Sequence, residues 1–268
     1  MLSNPGPIWL IGCGNMAGAM LRRWLEVGLD PVTVTVIRPS GLAVANGVRV
    51  VTEAPQGESP SVALLGVKPQ KLDEVAPLYR ALIGRGTTLI SILAGVELAS
   101  LRQRFPGAGA IVRAMPNTPV ALGKGAIALC GPDKPGARQL AESLMRPLGA
   151  VEWVDESLFD LVAALTASGP AFVFRFIDAL ASSAAALGLP PGQAQRLAIA
   201  TVDGAGALAA ASDEDPASLA ERVASPGGMT RQGLDILDAD AALADLVRRT
   251  LKAAADHSRK MGEAARRS

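Results

Sequence analysis

Ile8-Trp9-Leu10-Ile11-Gly12-Cys13-Gly14-Asn15-Met16-Ala17-Gly18 is the stretch that decides how this chain is read. Four apolar residues run into G-x-G-x-x-A, and a helical pattern follows over Met16–Val27. In a strand–turn–helix unit each small residue has a task. Gly12 permits the tight turn, Gly14 lets backbone approach a pyrophosphate, and Ala17 lets helix and strand pack closely. The helix start adds free N–H groups and the positive end of a dipole. The segment predicts a dinucleotide turn formed by Gly12, Cys13, Gly14, Asn15, Met16 and Ala17.

The surroundings fit such a turn. Strands are expected at Val32–Ile37, Val62–Val67, Thr88–Ile92, Ala110–Arg113 and Gly125–Ala128. Helices are expected near Lys71–Ile83 and Pro135–Leu148. This alternation implies a parallel sheet covered by helices. Composition then changes. Residues 1–150 hold 33 of the 47 Gly and Pro residues and 19 alanines, whereas residues 151–268 hold 14 and 29. Alanine favours helix and Gly and Pro break it, so the second part should be helical. Its helices are expected at Asp155–Ala167, Ala171–Leu187, Pro191–Ser212, Pro216–Val223, Met229–Ala239 and Ala241–Arg266.

The totals narrow the chemistry. One histidine, His257, and two cysteines without C-x-x-C spacing predict no metal site and no redox dithiol. An enzyme so equipped takes its reactive group from a cofactor. The 26 basic and 25 acidic residues leave a net charge of +1, which argues against nucleic acid and an anionic membrane as partners. No uninterrupted apolar run of about 18 residues is present. With no basic n-region ahead of the first apolar stretch, the expectation is a cytoplasmic protein.

The second strand ends in Arg38-Pro39-Ser40. NAD-binding folds place an acidic residue there, whereas an arginine suits a 2′-phosphate, so Arg38 favours NADP(H) over NAD(H). Val67-Lys68-Pro69 and Arg113-Ala-Met115-Pro116-Asn117-Thr118-Pro119 follow other strands, where loops line the crevice of an open α/β sheet. In the helical part, Ser225-Pro226-Gly227-Gly228-Met229-Thr230 offers Ser225 as a helix cap, Pro226 as a first helical residue, two glycines and a hydroxyl. That set reads either as a carboxylate site or as an ordinary helical cap. Thr166-Ala-Ser168-Gly-Pro170-Ala171-Phe172 opens a helix in the same way.

These segments resemble the pyrroline-5-carboxylate reductase family from about Ile8 to Lys260. The marks are Gly12–Ala17, Val67–Gln70, Ser91–Val96 with Ala94 and Gly95, Met115–Pro119, Ser168–Ala171 and Ser225–Thr230. The resemblance implies an α/β protein: a Rossmann-type doubly wound parallel sheet over 1–155 that binds NADP, then an all-helical substrate-binding and dimerisation domain over 156–268. It implies NAD(P)H-dependent reduction of 1-pyrroline-5-carboxylate to L-proline, homodimers and their assembly into decamers. It assigns Val67, Lys68, Pro69, Ala94, Gly95 and Asn117 to the cofactor. Ser225, Gly227, Gly228, Met229, Thr230 and Ser168 fall to the substrate, with Thr230 near the ring nitrogen as the catalytic candidate.

A cyclic imine, once protonated, accepts hydride directly, so no histidine is required. Two positions depart from the family: Ala163 replaces a threonine and Phe172 a tyrosine. They leave open a reductase of a related cyclic imino acid, or a non-catalytic NADP-binding regulator. A β-hydroxyacid dehydrogenase would need a lysine in the first long helix, and Thr166–Ala186 has none.

Overall fold

Strand β1 (Ile8–Ile11) is buried along its whole length because a neighbour lies on each side and a helical layer on each face. Ile8 and Leu10 point into one apolar layer and Trp9 and Ile11 into the other, the period-two alternation of a strand covered twice. The computed structural model describes residues 5–267. Parallel partners β2 (Val34–Ile37) and β4 (Val62–Leu65) flank β1. Beyond them lie β3 (Arg49–Val51), β5 (Thr88–Ser91) and β6 (Ala110–Met115), in the order β3-β2-β1-β4-β5-β6. The strand order reverses between β1 and β4, the doubly wound arrangement that opens a crevice at the carboxyl ends of the strands.

Helix α1 (Asn15–Glu26) lies on one face with α4 (Pro135–Met145). Trp24 joins them, its Nε1 donating to the Leu144 carbonyl at 2.6 Å. Helix α2 (Leu72–Tyr79) and α3 (Leu98–Arg104) cover the other face through Leu72, Tyr79 and Leu101, beside the buried Phe105 that follows α3.

Three elements escaped the sequence reading. Strand β3 is a three-residue edge, α3 has only seven residues, and β8 (Gly149–Trp153) is an edge strand with every second residue exposed. The sheet is parallel as expected except at strand β7 (Gly125–Cys130), which runs antiparallel to β6. The connection from Met115 to Gly125 is too short for a parallel crossover, which needs a dozen residues or more. Crossing over α4, the chain returns to make β8 parallel to β7.

By its internal contacts the chain falls into two compact units. One compact unit comprises Met1–Ser168 and Ala253–Ser268, the other Gly169–Lys252. Helix α5 (Phe159–Thr166) stays with the sheet because Phe159 and Ala163 pack on Met115, Ala128 and Cys130. The end of α10 (Ala242–Arg267) also belongs there: Ser258 donates to Asp160 at 2.8 Å, and a Cβ on Gly262 would stand 3.0 Å from the Gly95 carbonyl.

The second unit is built from α6 (Gly169–Ala186), α7 (Pro191–Ala211), α8 (Pro216–Val223), α9 (Met229–Asp238) and the start of α10. Its helices keep much apolar surface in solvent, including Phe174, Leu208 and Ile236. By length and composition the stretch Glu156–Ala186 is apolar enough to cross a membrane, at a mean hydropathy of 1.5. It is no single helix, being interrupted at 167–168.

Candidate functional site

The carboxyl ends of β1, β2, β4 and β5 share one edge of the sheet, and most of the expected cofactor residues follow them. Gly12 leaves β1 with φ +83°, and its N–H donates to the Ile37 carbonyl at 2.9 Å. A Cβ there would meet Val67 Cγ1 at 2.8 Å and the Gly66 carbonyl at 3.0 Å, so conformation and space both require glycine. Gly14 is the N-cap of α1, extended at φ −82°, with no side chain capping the helix and no acid in the first turn. A Cβ on Gly14 would project into open space, with nothing within 4 Å. The first-turn N–H groups thus face a cradle that a pyrophosphate fits and that a side chain would fill.

Ala17 is buried, and the turn it supports depends on a residue the sequence reading missed. Gly66 follows β4, and a Cβ there would stand 2.8 Å from the Gly12 carbonyl and 3.0 Å from Ala17 Cβ. The signal was available: a glycine directly after a strand and just before Val67-Lys68-Pro69.

Arg38 ends β2, its backbone N–H bonded to the Val51 carbonyl at 3.0 Å. Its guanidinium forms no ion pair among the described residues. It lies close enough to Cys13 to act on it, as does Arg22 of α1. Burial pushes the Cys13 thiol up, and these two guanidinium groups pull the other way. The turn therefore carries a neutral thiol rather than a thiolate at neutral pH. Lys68 is exposed on the loop after β4, ahead of Pro69. After β5, Ala94 is exposed and Gly95 is buried with φ +74°.

Asn117, expected at the cofactor, is held by two hydrogen bonds within the first unit. Its Nδ2 donates to the Thr166 carbonyl at 2.9 Å, and its Oδ1 accepts from Ala126 N–H at 3.0 Å. Both ends of the amide are committed to bracing β7 against the end of α5. Ser168 sits at the break between α5 and α6, its N–H bonded to the Ala163 carbonyl at 3.3 Å.

The second unit holds Ser225–Thr230, where two local expectations are corrected. Ser225 does not cap a helix, and Pro226 is not a first helical residue. Instead Gly228 N–H donates to the Ser225 carbonyl at 2.9 Å, and Gly227 has φ +71°. Pro226 followed by a left-handed glycine makes a type II turn, which a helix cannot accommodate. The N-cap of α9 is Gly228, extended at φ −77°, again with no side-chain cap and no acid in the first turn. Arg231 is tied to Glu221 and lies 3.7 Å from Asp235, so the backbone N–H groups and the Thr230 hydroxyl are left as the donors. Met229 is 92% exposed. This start can take an anion smaller than a diphosphate, such as one carboxylate.

A doubly wound sheet with a glycine turn at its switch point and a helical second unit defines the class: a two-domain nucleotide-binding protein of the dehydrogenase type. Residues 156–261 match the family described as pyrroline-5-carboxylate reductase dimerisation, and residues 7–95 match NADP oxidoreductase, coenzyme F420-dependent. The pyrroline-5-carboxylate reductase of Synechocystis is 39% identical over 238 residues, covering 85% of this chain and 88% of its own. That of Pseudomonas aeruginosa is 31% identical over 96% of this chain and 97% of its own. A solved pyrroline-5-carboxylate reductase from Coxiella burnetii superposes with a TM-score of 0.89 at 32% identity, covering 96% of this chain and 99% of its own. A pyrroline carboxylate reductase from Plasmodium falciparum, solved with NADP bound, shares the fold at 22% identity and a TM-score of 0.81. The chain belongs to the pyrroline-5-carboxylate reductase family.

Proposed function

We propose that this protein reduces the C=N bond of 1-pyrroline-5-carboxylate with NADPH, giving L-proline. The observation that carries the reading is the pair of uncapped, glycine-opened helix starts at Gly14 and Gly228, one suited to a diphosphate and one to a carboxylate. Family membership supplies the reaction that needs both. NADPH, when bound, supplies the hydride. The chain's own residues do the rest. Gly12–Ala17 hold the pyrophosphate, Arg38 grips the 2′-phosphate, and Val67–Pro69 with Ala94–Gly95 line the remainder of the dinucleotide. The turn Ser225–Gly228 and the first N–H groups of α9 hold the carboxylate, next to Met229, and Ser168 is a further substrate residue. The Thr230 hydroxyl hydrogen-bonds at the ring nitrogen and keeps it oriented and protonated.

The helical unit pairs with a second copy, as its exposed apolar residues and the matched dimerisation region support. The same docking accounts for the apolar stretch through α5 and α6 without a membrane. Five dimers form a decamer, and light scattering distinguishes twice from ten times the 27.4 kDa chain mass. Two unpaired cysteines support a cytoplasmic setting.

The test is NADPH consumption with pyrroline-5-carboxylate, set beside pyrroline-2-carboxylate and a piperideine carboxylate, and with NADH in place of NADPH. Turnover of the first with NADPH, exceeding the others, is expected. NADPH binding without turnover of any imine would leave a regulator. Thr230→Ala should keep NADPH binding and lower kcat by about 100-fold, the lower end of the general acid–base range. An unchanged kcat removes Thr230 from the chemistry.

A further inference from the structure

Glu156 was assigned no role by the sequence, yet its carboxylate ties together three elements of the first unit. Its Oε1 accepts the Leu98 N–H at 2.7 Å and Arg113 Nη1 at 2.8 Å. Leu98 is the first residue of α3, and the N-cap residue Glu97 makes no side-chain cap of its own. A carboxylate 58 residues further along the chain therefore caps this helix. Arg113, in β6, is 3% exposed and stacks on the Phe159 ring at 4.1 Å. Its Nε has no hydrogen-bond partner among the described residues, so Glu156 is the counter-charge that makes the buried guanidinium tolerable.

The turn that this cap anchors carries Ala94 and Gly95. It leaves β5 at Ser91, whose Oγ accepts Leu93 N–H at 3.3 Å, and enters α3 at Leu98. Sheet order gives the turn its meaning. β5 is three strands from β2, about 14 Å at the usual strand spacing. A dinucleotide whose 2′-phosphate end lies at Arg38 and whose pyrophosphate lies at Gly14 therefore extends its nicotinamide half toward the ends of β4 and β5.

We infer that Glu156 is a positioning residue for the nicotinamide half of the cofactor, acting through the Leu98 N–H to fix the Ala94–Gly95 turn, with Arg113 holding the carboxylate in place. The inference rests on the NADPH reading above. Replacing Glu156 by alanine would strand Arg113 and confound folding with function. Leu98→Pro keeps Arg113 paired, and Leu98→Ala controls for the leucine side chain, which packs on the apolar clusters around Leu101 and Phe159. Proline suits a first helical position, and Glu97 at ψ 160° is already in the conformation that precedes proline. The substitution removes the donor and leaves the Arg113–Glu156 pair intact.

The experiment is equilibrium binding of NADPH, and of 2′-phospho-ADP-ribose as a fragment without nicotinamide, to wild type, to Leu98→Ala and to Leu98→Pro. The expected result for Leu98→Pro relative to Leu98→Ala is an NADPH Kd raised about tenfold, with the fragment's Kd unchanged. An unchanged NADPH Kd in folded Leu98→Pro relative to Leu98→Ala overturns the inference, as does an equal loss for both ligands, which would mean general loosening. Wild-type protein that binds no NADPH overturns the cofactor reading and this inference with it. Wild-type binding with an unresponsive variant overturns the inference alone.

Discussion

The starts of α1 and α9 are nearly the same piece of backbone. Each is opened by an extended N-cap glycine with φ near −80°, and each lacks a side-chain cap and a first-turn acid. Their settings differ. Gly14 follows a buried strand, and the turn behind it is fixed by contacts among Gly12, Gly66, Ala17 and Val67. Gly228 follows an exposed type II turn braced by its own Ser225. The same uncapped helix start, which the proposal gives an anion in each place, is thus mounted once on a buried sheet and once on a surface loop. The sheet suits a large ligand that must lie across several strands. The loop suits a small ligand that touches a few donors.

Substitutions at the two starts separate their jobs. The largest effect is expected from Gly14→Val. Open space around Gly14 lets the chain fold with valine there, at an N-cap penalty of about 1 kcal/mol. Its side chain occupies the phosphate cradle, so the Kd for NADPH should rise by about 100-fold or more, or about 2.7 kcal/mol. A folded variant that binds NADPH normally would break the assignment of the first start. Arg38→Ala sharpens it: loss of a charged grip on the 2′-phosphate should raise KM for NADPH by roughly 10- to 30-fold and leave KM for NADH nearly unchanged. Equal loss with both cofactors would return Arg38 to an ordinary strand end. Gly228→Ala should have the smallest effect. Its Cβ would come within 2.6 Å of Ser225 Oγ and disturb the turn. KM for the imino acid should rise about fivefold to tenfold while NADPH Kd stays put. A change in NADPH binding instead would erase the division of labour between the two starts.

The same contrast explains what could be read from sequence. β1, α1 and the turn between them were legible because each residue obeys a local rule: buried strand, left-handed glycine, open glycine, small helix residue. The helices α6 to α10 were legible from alanine content and from breaks such as Gly188-Leu-Pro190-Pro191. Edge strands β3 and β8 were not, since three residues or a half-exposed run carry too little apolar signal. The direction of β7 depended on the length of its connection rather than its residues. Ser225–Gly228 was recognised as special, but its conformation was misassigned. Ser-Pro looks like a helix opening until Gly227 takes a positive φ. The bracing roles of Asn117 and Glu156 lay beyond local reading, because Thr166, Leu98 and Arg113 are 43 to 58 residues away from them. The departures at Ala163 and Phe172 resolve unequally. Ala163 sits in the apolar cluster with Met115 and Phe159, where a methyl fits. Phe172 is half-buried at the start of α6, and nothing in the structure explains its replacement of tyrosine.

The most direct test of the account is isotopic. Incubate the protein with NADPH carrying deuterium at the transferable nicotinamide position and with pyrroline-5-carboxylate, then isolate the amino acid formed. The account predicts L-proline with one deuterium on ring carbon 5, the former imine carbon. Unlabelled proline, or no proline while NADPH remains bound, would contradict it.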